Sequence, residues 1–191
     1  MTSFTIIGTG NMGTAIGRVL ADGGSQVSHV SHEEVGTAPL GDVVVLAVPY
    51  PALAGVVAAY SDQLSGKTVV DITNPLNFET FDSLVVPADS SAAAELQAQL
   101  PEARLLKAFN TNFAATLAGK KVGELPTTVL IAGDDADAKQ VLADAVTAGG
   151  LQAIDAGSLA RARELEALGF LQITLAAAEK LPWTGGFAVS R

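Results

Sequence analysis

The sequence predicts an α/β fold, a doubly wound parallel sheet with helices on both faces. Short runs rich in Val, Ile and Leu alternate along the chain with Ala-rich stretches whose apolar residues recur at helical spacing. Strands buried on both faces have this continuous apolar composition, and each needs a crossover helix before the next parallel strand. A chain of 191 residues with 49% hydrophobic content suffices for one core, so we expect a single domain over residues 1–191.

The individual elements follow from these runs and from their flanking residues. Strands are predicted over 4–7, 26–30, 43–48, 68–72, 105–109, 128–131 and 151–154. Helices are predicted to begin near Asn11, Pro51, Ser91, Asp135 and Ser158, since polar side chains at most of these positions accept hydrogen bonds from a first helical turn. The last helix, with apolar residues at helical spacing from Leu159 to Leu181, is expected to be the longest. Gly169 within it allows close packing against the sheet or a second subunit.

The composition excludes several classes of partner and chemistry. A formal net charge of −9 with only eleven Lys and Arg argues against binding nucleic acid or an anionic membrane surface. The lack of Cys removes disulfides, thiolate metal sites and cysteine nucleophiles, so we expect no metal and redox chemistry only through a cofactor. Residues 1–4 lack the basic flank of a leader, and no uncharged apolar run reaches about 18 residues, so we expect a cytoplasmic protein.

The most specific motif lies between the first strand and the first helix. It reads Gly8-Thr9-Gly10-Asn11-Met12-Gly13. Gly8 permits a tight turn, Gly10 lets the backbone approach a pyrophosphate, and Gly13 allows the helix to pack closely on the strand. The helix N-terminus adds free N–H donors and a partial positive charge. The motif predicts a Rossmann-type unit that binds a nicotinamide dinucleotide; the alternative is a glycine-rich turn without a ligand.

The end of the second strand indicates which dinucleotide binds. Sites that prefer NAD place an acid about 20 residues past the first glycine, where this chain has Val30. Ser31 and His32 follow and can donate hydrogen bonds to a 2'-phosphate, which favours NADP. Glu33 and Glu34 oppose this interpretation because they carry negative charge, and Ser31 and His32 are otherwise ordinary loop residues.

Three later strands end in breaks rich in Asn, Thr and Pro. These are Val48-Pro49-Tyr50-Pro51, Asp71-Ile72-Thr73-Asn74-Pro75-Leu76-Asn77 and Lys107-Ala108-Phe109-Asn110-Thr111-Asn112. Each taken alone is typical of a turn. Because the ligand crevice of an open parallel sheet lies outside the carboxyl ends of its strands, together they predict one groove.

These motifs together resemble the deazaflavin (coenzyme F420)-dependent NADP oxidoreductase family. The resemblance extends over nearly the whole chain and implies hydride transfer between NADPH and coenzyme F420. It is shared with the NADPH-binding domain of six-transmembrane metalloreductases, which also pass hydride to a flavin-like ring. The chain departs from the family in two places: His32 stands where an Arg is usual, and the short stretch between His32 and Val43 trims the sheet after its second strand.

The resemblance also implies roles for individual residues. The pyrophosphate and nearby ribose are assigned to Thr9, Asn11 and Met12, the 2'-phosphate to Ser31 and His32, the adenosine side to Val48, Pro49 and Tyr50, and the nicotinamide side to Asn74, Ala108, Phe109 and Asn110. The substrate side of the groove is assigned to Pro75 and Thr111, and to Trp183 and Phe187 in the tail. Across two glycines, this aromatic pair could stack on a planar acceptor or could simply fill the core.

No side chain is assigned as a proton donor. Reduction of a carbonyl needs a positioned acid, and neither tyrosine has Lys four residues later. Transfer to a flavin or deazaflavin ring needs mainly stacking and exclusion of water, which favours such an acceptor. Lys107 and Asp71 remain candidate acids, although strand-end surface charges are the commoner interpretation.

Two other functions stay open. One is an imine reductase resembling pyrroline-5-carboxylate reductase, although little chain follows Ser158 to build that family's helical dimerisation domain. The other is a non-catalytic module that senses NADP. In every case the partner is a small molecule, and the apolar helix and tail from about residue 158 complete the substrate crevice and favour a homodimer.

Overall fold

The computed structural model describes residues 2–190; Met1 and Arg191, the ends of the predicted domain, lie outside the described residues. The strands in chain order are β1 (Ser3–Ile7), β2 (Gln26–Val30), β3 (Val43–Leu46), β4 (Thr68–Asp71), β5 (Arg104–Lys107), β6 (Lys121–Val122), β7 (Leu125–Pro126), β8 (Thr128–Gly133) and β9 (Gln152–Gly157). The helices are α1 (Asn11–Asp22), α2 (Leu53–Leu64), α3 (Ala92–Gln99), α4 (Ala114–Gly119), α5 (Ala136–Ala148) and α6 (Ala162–Ala177).

The main sheet has the order β2-β1-β3-β4-β5-β8-β9, and its first five strands are parallel. This confirms the predicted Rossmann-type sheet. β8 runs antiparallel to β5 and carries β9 with it in parallel. The connection from β5 to β8 contains only α4 and the β6–β7 hairpin. The chain therefore enters β8 at the same end of the sheet at which β5 finishes, and the two strands run antiparallel.

Apolar side chains cover both faces of the sheet. One core cluster joins the strands to α1, α4 and α5, and the other joins them to α2, α3 and the start of α6. Neighbouring strand residues alternate between the clusters, as Val44 and Val45 do, because successive side chains of a strand point to opposite faces. The predicted doubly wound packing is therefore confirmed.

Helix starts agree with the polar residues proposed for them. Ser91 and Asp135 are N-caps whose side chains accept from the N–H groups of Ala94 (3.0 Å) and Ala138 (2.8 Å). Pro51 lies inside the 3-10 turn Tyr50–Ala52, which leads into α2, and Ser158 is the N-cap of the 3-10 turn Leu159–Arg161, which leads into α6. The trimming after β2 is also confirmed, since residues 31–42 contain only the 3-10 turn His32–Glu34.

Two features of the chain were not predicted correctly. Helix α4 and the β6–β7 hairpin were missed, because elements of six and two residues are too short to show a period. The last helix is the longest, as expected, but it ends at Ala177 rather than near Leu181. Glu179 adopts a left-handed conformation with φ 58° just beyond it, which terminates the helix.

Within residues 2–190, no helix combines the length and the apolar character needed to cross a membrane. In the same part of the chain, no group of three or more His, Asp or Glu side chains is placed to hold a metal ion.

Candidate functional site

The glycine loop connects β1 to α1 at the carboxyl edge of the sheet. Gly8 has φ 124°, and a Cβ there would lie 2.2 Å from the carbonyl oxygen of Ala47. A Cβ on Gly13 would lie 2.4 Å from the carbonyl oxygen of Gly8, so α1 can rest on this turn only without a side chain. Both positions therefore require glycine for the fold itself.

Gly10 differs from its neighbours because a Cβ there would meet nothing within 4 Å. It is the N-cap of α1, yet no side chain caps the helix and the first turn contains no acidic residue. The N-terminal N–H groups and the positive end of the helix dipole thus face open space. This arrangement fits an anionic group such as a pyrophosphate, with Gly10 keeping the approach clear.

A cavity of about 540 Å³ opens beside this loop. Its polar lining comes from the loop and from strand ends, namely Asn11, Asn74, Asn110 and Asn112, and its apolar lining includes Met12, Ile72, Phe78, Phe81, Phe113, Ile173 and Trp183. All lining side chains among the described residues are uncharged. The cavity can therefore hold a largely apolar planar group, and it offers amides for orientation.

The structure brings together five residues predicted from separate parts of the sequence. Asn11, Met12, Asn74, Asn110 and Trp183 line this one cavity. Two of the three predicted strand-end breaks thus meet in one groove with the glycine loop and the tail, whereas Tyr50 and Pro51 of the third break line a separate cavity.

Other predicted residues lie elsewhere. Ala108 and Phe109 are fully buried beneath the cavity, and Phe109 has φ 62°. Phe187 and Thr111 line a separate cavity of about 50 Å³, so the two tail aromatics do not form one platform. Pro75 is packed in the interior and lines neither cavity. In the break after β3, the Tyr50 hydroxyl donates to Glu95 Oε2 at 2.7 Å, and burial with this carboxylate raises the pKa of Tyr50 to about 12.

Several lining residues were missed in the sequence. Phe78 and Phe81 belong to the long connection between β4 and α3, and their rings meet edge-on at 5.8 Å between centroids. Phe113 precedes α4 and packs on Trp183 with centroids 4.9 Å apart. The available signal was the clustering of three phenylalanines just beyond two Asn-rich strand ends.

Asn74 and Asn110 form a reciprocal amide clasp that joins the ends of β4 and β5. Asn74 Nδ2 donates to the Asn110 carbonyl at 2.8 Å, and Asn110 Nδ2 donates to Asn74 Oδ1 at 2.9 Å and to the Leu165 carbonyl at 2.8 Å. A Cβ on Gly169 would lie 2.3 Å from Asn74 Oδ1. Gly169 therefore lets α6 pack against this clasp, which answers the open question of what that glycine contacts.

Three buried side-chain oxygens near the clasp accept no hydrogen bond from the described residues: Thr73 Oγ1, Asn110 Oδ1 and Asn112 Oδ1. The amide orientations are fixed by their nitrogens, because Asn112 Nδ2 donates to the Thr128 carbonyl at 3.0 Å. Unsatisfied buried acceptors cost about 1–3 kcal/mol each, and native structures contain few of them. Two of them belong to Asn110 and Asn112, which line the polar side of the cavity.

Lys107 and Asp71 are not the surface charges that the sequence favoured, and that interpretation is wrong. Both side chains are 0% exposed, and Lys107 Nζ lies 2.8 Å from both Asp71 Oδ2 and Glu166 Oε1. β4 and β5 pair Asp71 directly with Lys107, and α6 supplies Glu166. Glu166 also accepts from the N–H groups of Ala92 and Ala93 at the start of α3.

This buried triad holds the floor of the cavity in place. Lys107 also donates to the Thr73 carbonyl, and Asp71 Oδ1 accepts from the Thr73 N–H at 2.8 Å. Two carboxyl groups therefore share one ammonium group. Burial raises the pKa of Glu166, although Lys107 and the Ala92 N–H act in the opposite direction.

We expect this raised pKa to give Glu166 a distinct pH signature. An acid whose folded pKa exceeds its unfolded value of about 4.5 stabilises the fold fully below that value, and this contribution is lost as pH rises through the folded pKa. The difference in unfolding free energy, wild type minus Glu166→Gln, should therefore fall as pH rises from 4.5. Urea unfolding at a series of pH values measures it; a difference that stays constant or rises contradicts the assignment.

The end of β2 holds the residues predicted for the 2'-phosphate. Glu34 Oε2 accepts from both the Ser31 N–H (2.9 Å) and the Ser31 hydroxyl (2.6 Å), while His32 is exposed. These two hydrogen bonds lower the pKa of Glu34. The Glu34 carboxylate thus occupies the hydrogen-bond donors of Ser31, which the sequence analysis assigned to the 2'-phosphate.

The chain is similar to known proteins in both sequence and structure. The profile of a family described as NADP oxidoreductase, coenzyme F420-dependent, matches residues 24–75. The chain is 32% identical over 171 residues to the F420-dependent NADP reductase of Methanocaldococcus jannaschii, and the alignment covers 87% of this chain and 76% of that protein. It is 38% identical over 109 residues to the metalloreductase STEAP3 of Rattus norvegicus. That alignment covers 56% of this chain but only 21% of STEAP3.

A solved structure gives the same picture over the whole length. It comes from Arthrobacter sp. FB24 and was provisionally described as an F420-dependent NADP reductase. It superposes with a TM-score of 0.84 at 26% identity, and the alignment covers 100% of both chains. The predicted resemblance is therefore confirmed by sequence and by fold.

Proposed function

The chain belongs to the coenzyme F420-dependent NADP oxidoreductase family, and from this premise we propose that it transfers hydride between NADPH and the deazaflavin coenzyme F420. NADPH supplies two electrons as hydride, and a proton from solvent completes the reduced acceptor. The proposal is that of an oxidoreductase with no metal and no side-chain nucleophile.

One observation supports this chemistry above others: all the described side chains that line the 540 Å³ cavity are uncharged. Hydride transfer to a carbonyl needs an acid within hydrogen-bond distance of the oxygen, whereas transfer between two stacked rings needs alignment and exclusion of water. Aromatic and aliphatic side chains such as Met12, Phe113 and Trp183 serve the second requirement. The cavity therefore suits a flat ring that accepts hydride directly.

We propose a binding role for each part of the cofactor site. The open N-terminus of α1, with Thr9, Asn11 and Met12, would bind the pyrophosphate. Ser31 and His32 would meet the 2'-phosphate, and the Val48–Tyr50 segment would flank the adenosine. Asn74 and Asn110 would orient the nicotinamide by their amides. Ala108 and Phe109 are buried, so they would support the nicotinamide end of the site from the protein interior.

The two other candidate functions gain less support. An imine reductase would need a proton donor beside the nicotinamide, but the described lining of the cavity is uncharged and the buried Lys107 is held by two carboxylates. A non-catalytic NADP sensor would not need the apolar lining of the cavity, which can hold a second planar molecule beside the nicotinamide. A free flavin as acceptor is a variant of the main proposal.

The deciding experiment follows NADPH oxidation with coenzyme F420, free flavins, ferric chelates and a cyclic imine as separate acceptors. We expect turnover with coenzyme F420. Turnover with the imine alone would overturn the proposal in favour of the reductase alternative, and binding of NADPH without turnover on any acceptor would favour the sensor.

We expect Trp183→Ala to raise the KM for the deazaflavin about tenfold, or about 1.4 kcal/mol, through loss of stacking area in the cavity. Trp183 is half exposed above Phe113, so its removal leaves the core intact. The matched control is Phe187→Ala, since Phe187 is similarly exposed but lines the other cavity. Steady-state kinetics and NADPH titration measure both. Equal effects of the two variants would show that Trp183 has no special role.

We also propose that residues 1–191 act as one dinucleotide-binding domain, in the cytoplasm, as a homodimer and without a nucleic-acid partner. The partly exposed Leu171 on α6 and the exposed Trp183 and Phe187 support a second copy packing near the tail. Sedimentation velocity tests the dimer, and cell fractionation tests the location.

A further inference from the structure

The Glu34 carboxylate occupies both hydrogen-bond donors of Ser31. We propose that Glu34 is a specificity-determining residue that competes with the 2'-phosphate of NADPH for these donors. This inference rests on the proposed function, because it concerns the adenosine end of the same cofactor groove. It predicts that the bound phosphate displaces the Glu34 side chain.

Ser31 directly follows β2 and lies beside the glycine loop. β1 and β2 are paired in parallel up to Ile7 and Val30, and the Gly8 N–H donates to the Val30 carbonyl at 2.9 Å. Ser31 is therefore the first residue beyond a strand end that is bonded to the glycine loop. In a Rossmann unit the adenosine ribose lies at this strand end.

Glu34, the acid that contacts Ser31, does not stand at the sequence position expected for an acid in this kind of site. The position about 20 residues past the first glycine is Val30, and the next acids come three and four residues later. The 3-10 turn His32–Glu34 reverses the chain, so the Glu34 side chain returns to Ser31 as a capping box. An acid thus reaches the ribose end of the site through a local turn, although it does not occupy the sequence position where an acid is expected.

The two anions cannot use the same donors. Glu34 is ionised at neutral pH because hydrogen bonds from Ser31 stabilise its charged form, and a 2'-phosphate carries nearly two negative charges. The side chain is exposed and can leave, whereas the Glu34 carbonyl accepts from the N–H groups of Thr37 and Ala38 and from the Tyr60 hydroxyl at 3.3 Å. The backbone turn therefore stays while the carboxylate moves.

The consequence differs between the two nucleotides. For NADPH, part of the gain from binding Ser31 is offset by the lost capping hydrogen bonds and by repulsion. For NADH, the carboxylate stays in place and can accept from a ribose hydroxyl, as acids at this strand end do. Glu34 therefore narrows the preference for NADPH that Ser31 and His32 provide.

The test compares Glu34→Gln with Glu33→Gln. Both remove one negative charge from exposed neighbours, but only Glu34 contacts Ser31, and glutamine can still cap the turn. Dissociation constants for NADPH and NADH are measured by fluorescence titration without any acceptor. Adenosine 2',5'-bisphosphate and 5'-AMP serve as probes of the adenosine end alone.

We expect Glu34→Gln to raise the NADPH to NADH affinity ratio about tenfold, the scale of one charge-assisted hydrogen bond, and Glu33→Gln to change it less than about threefold. The bisphosphate to monophosphate ratio should move in parallel. Equal effects of the two variants, or an unchanged ratio in Glu34→Gln, would overturn the inference while leaving the proposed function standing. Failure of the wild type to bind either nucleotide would overturn both.

Discussion

Replacing Gly10 by valine is expected to weaken NADPH binding by about a hundredfold or more, roughly 2.7 kcal/mol, while the protein stays folded. A Cβ at Gly10 would meet no protein atom within 4 Å, so valine should cost the fold little. It would project into the open space at the N-terminus of α1, where the pyrophosphate must approach the free N–H groups. The loss should fall equally on NADPH and NADH, because both carry the pyrophosphate.

Gly55→Val is the matched control. Gly55 is exposed on α2, and a Cβ there also meets nothing within 4 Å. Calorimetric titration of both nucleotides and a thermal melt of each variant separate binding from folding. A folded Gly10→Val protein that binds NADPH as tightly as Gly55→Val would refute the assignment of the loop to the cofactor.

Lys107→Met is expected to destabilise the fold by about 3–5 kcal/mol, because it leaves Asp71 and Glu166 buried together without a counter-ion. For a chain of this size, each kcal/mol corresponds to roughly 2–4 °C, so the Tm should fall by about 6–20 °C. A lysine at the surface, the commoner interpretation from the sequence, would cost the fold little when replaced.

The same substitution at Lys120 provides the control for Lys107→Met. Lys120 pairs with Asp22 at 2.9 Å, but both side chains are well exposed, so Lys120→Met should cost less than about 1 kcal/mol. Adding Glu166→Gln to Lys107→Met removes one buried charge and should recover part of the loss, even if the single variant is poorly folded. Urea unfolding compares the three. A cost no larger than that of Lys120→Met would show that the triad is not an ionised unit.

If the triad has only a positioning role, the folded fraction of Lys107→Met should keep hydride transfer within about tenfold of the wild type. Normalising the rate to the NADPH-binding fraction measures this. A thousandfold loss in folded protein would instead identify Lys107 as an acid in the reaction.

Local signals in the sequence determined much of this protein. The glycine loop, the caps at Ser91 and Asp135 and the trimmed connection after β2 each depend on a few adjacent residues. Turn conformation, capping and apolar periodicity act over such short distances, and the fold class follows from their order along the chain. The family resemblance rests on the same short motifs.

Tertiary structure alone decided which of these residues meet. Lys107 is buried because β5 pairs in register with β4 and α6 brings Glu166 across, and neither contact has a periodic signal in the sequence. Trp183 and Phe187, four residues apart, enter different cavities because the chain turns between them. Burial and long-range pairing depend on the packing of whole elements, so residue type and spacing alone do not fix them.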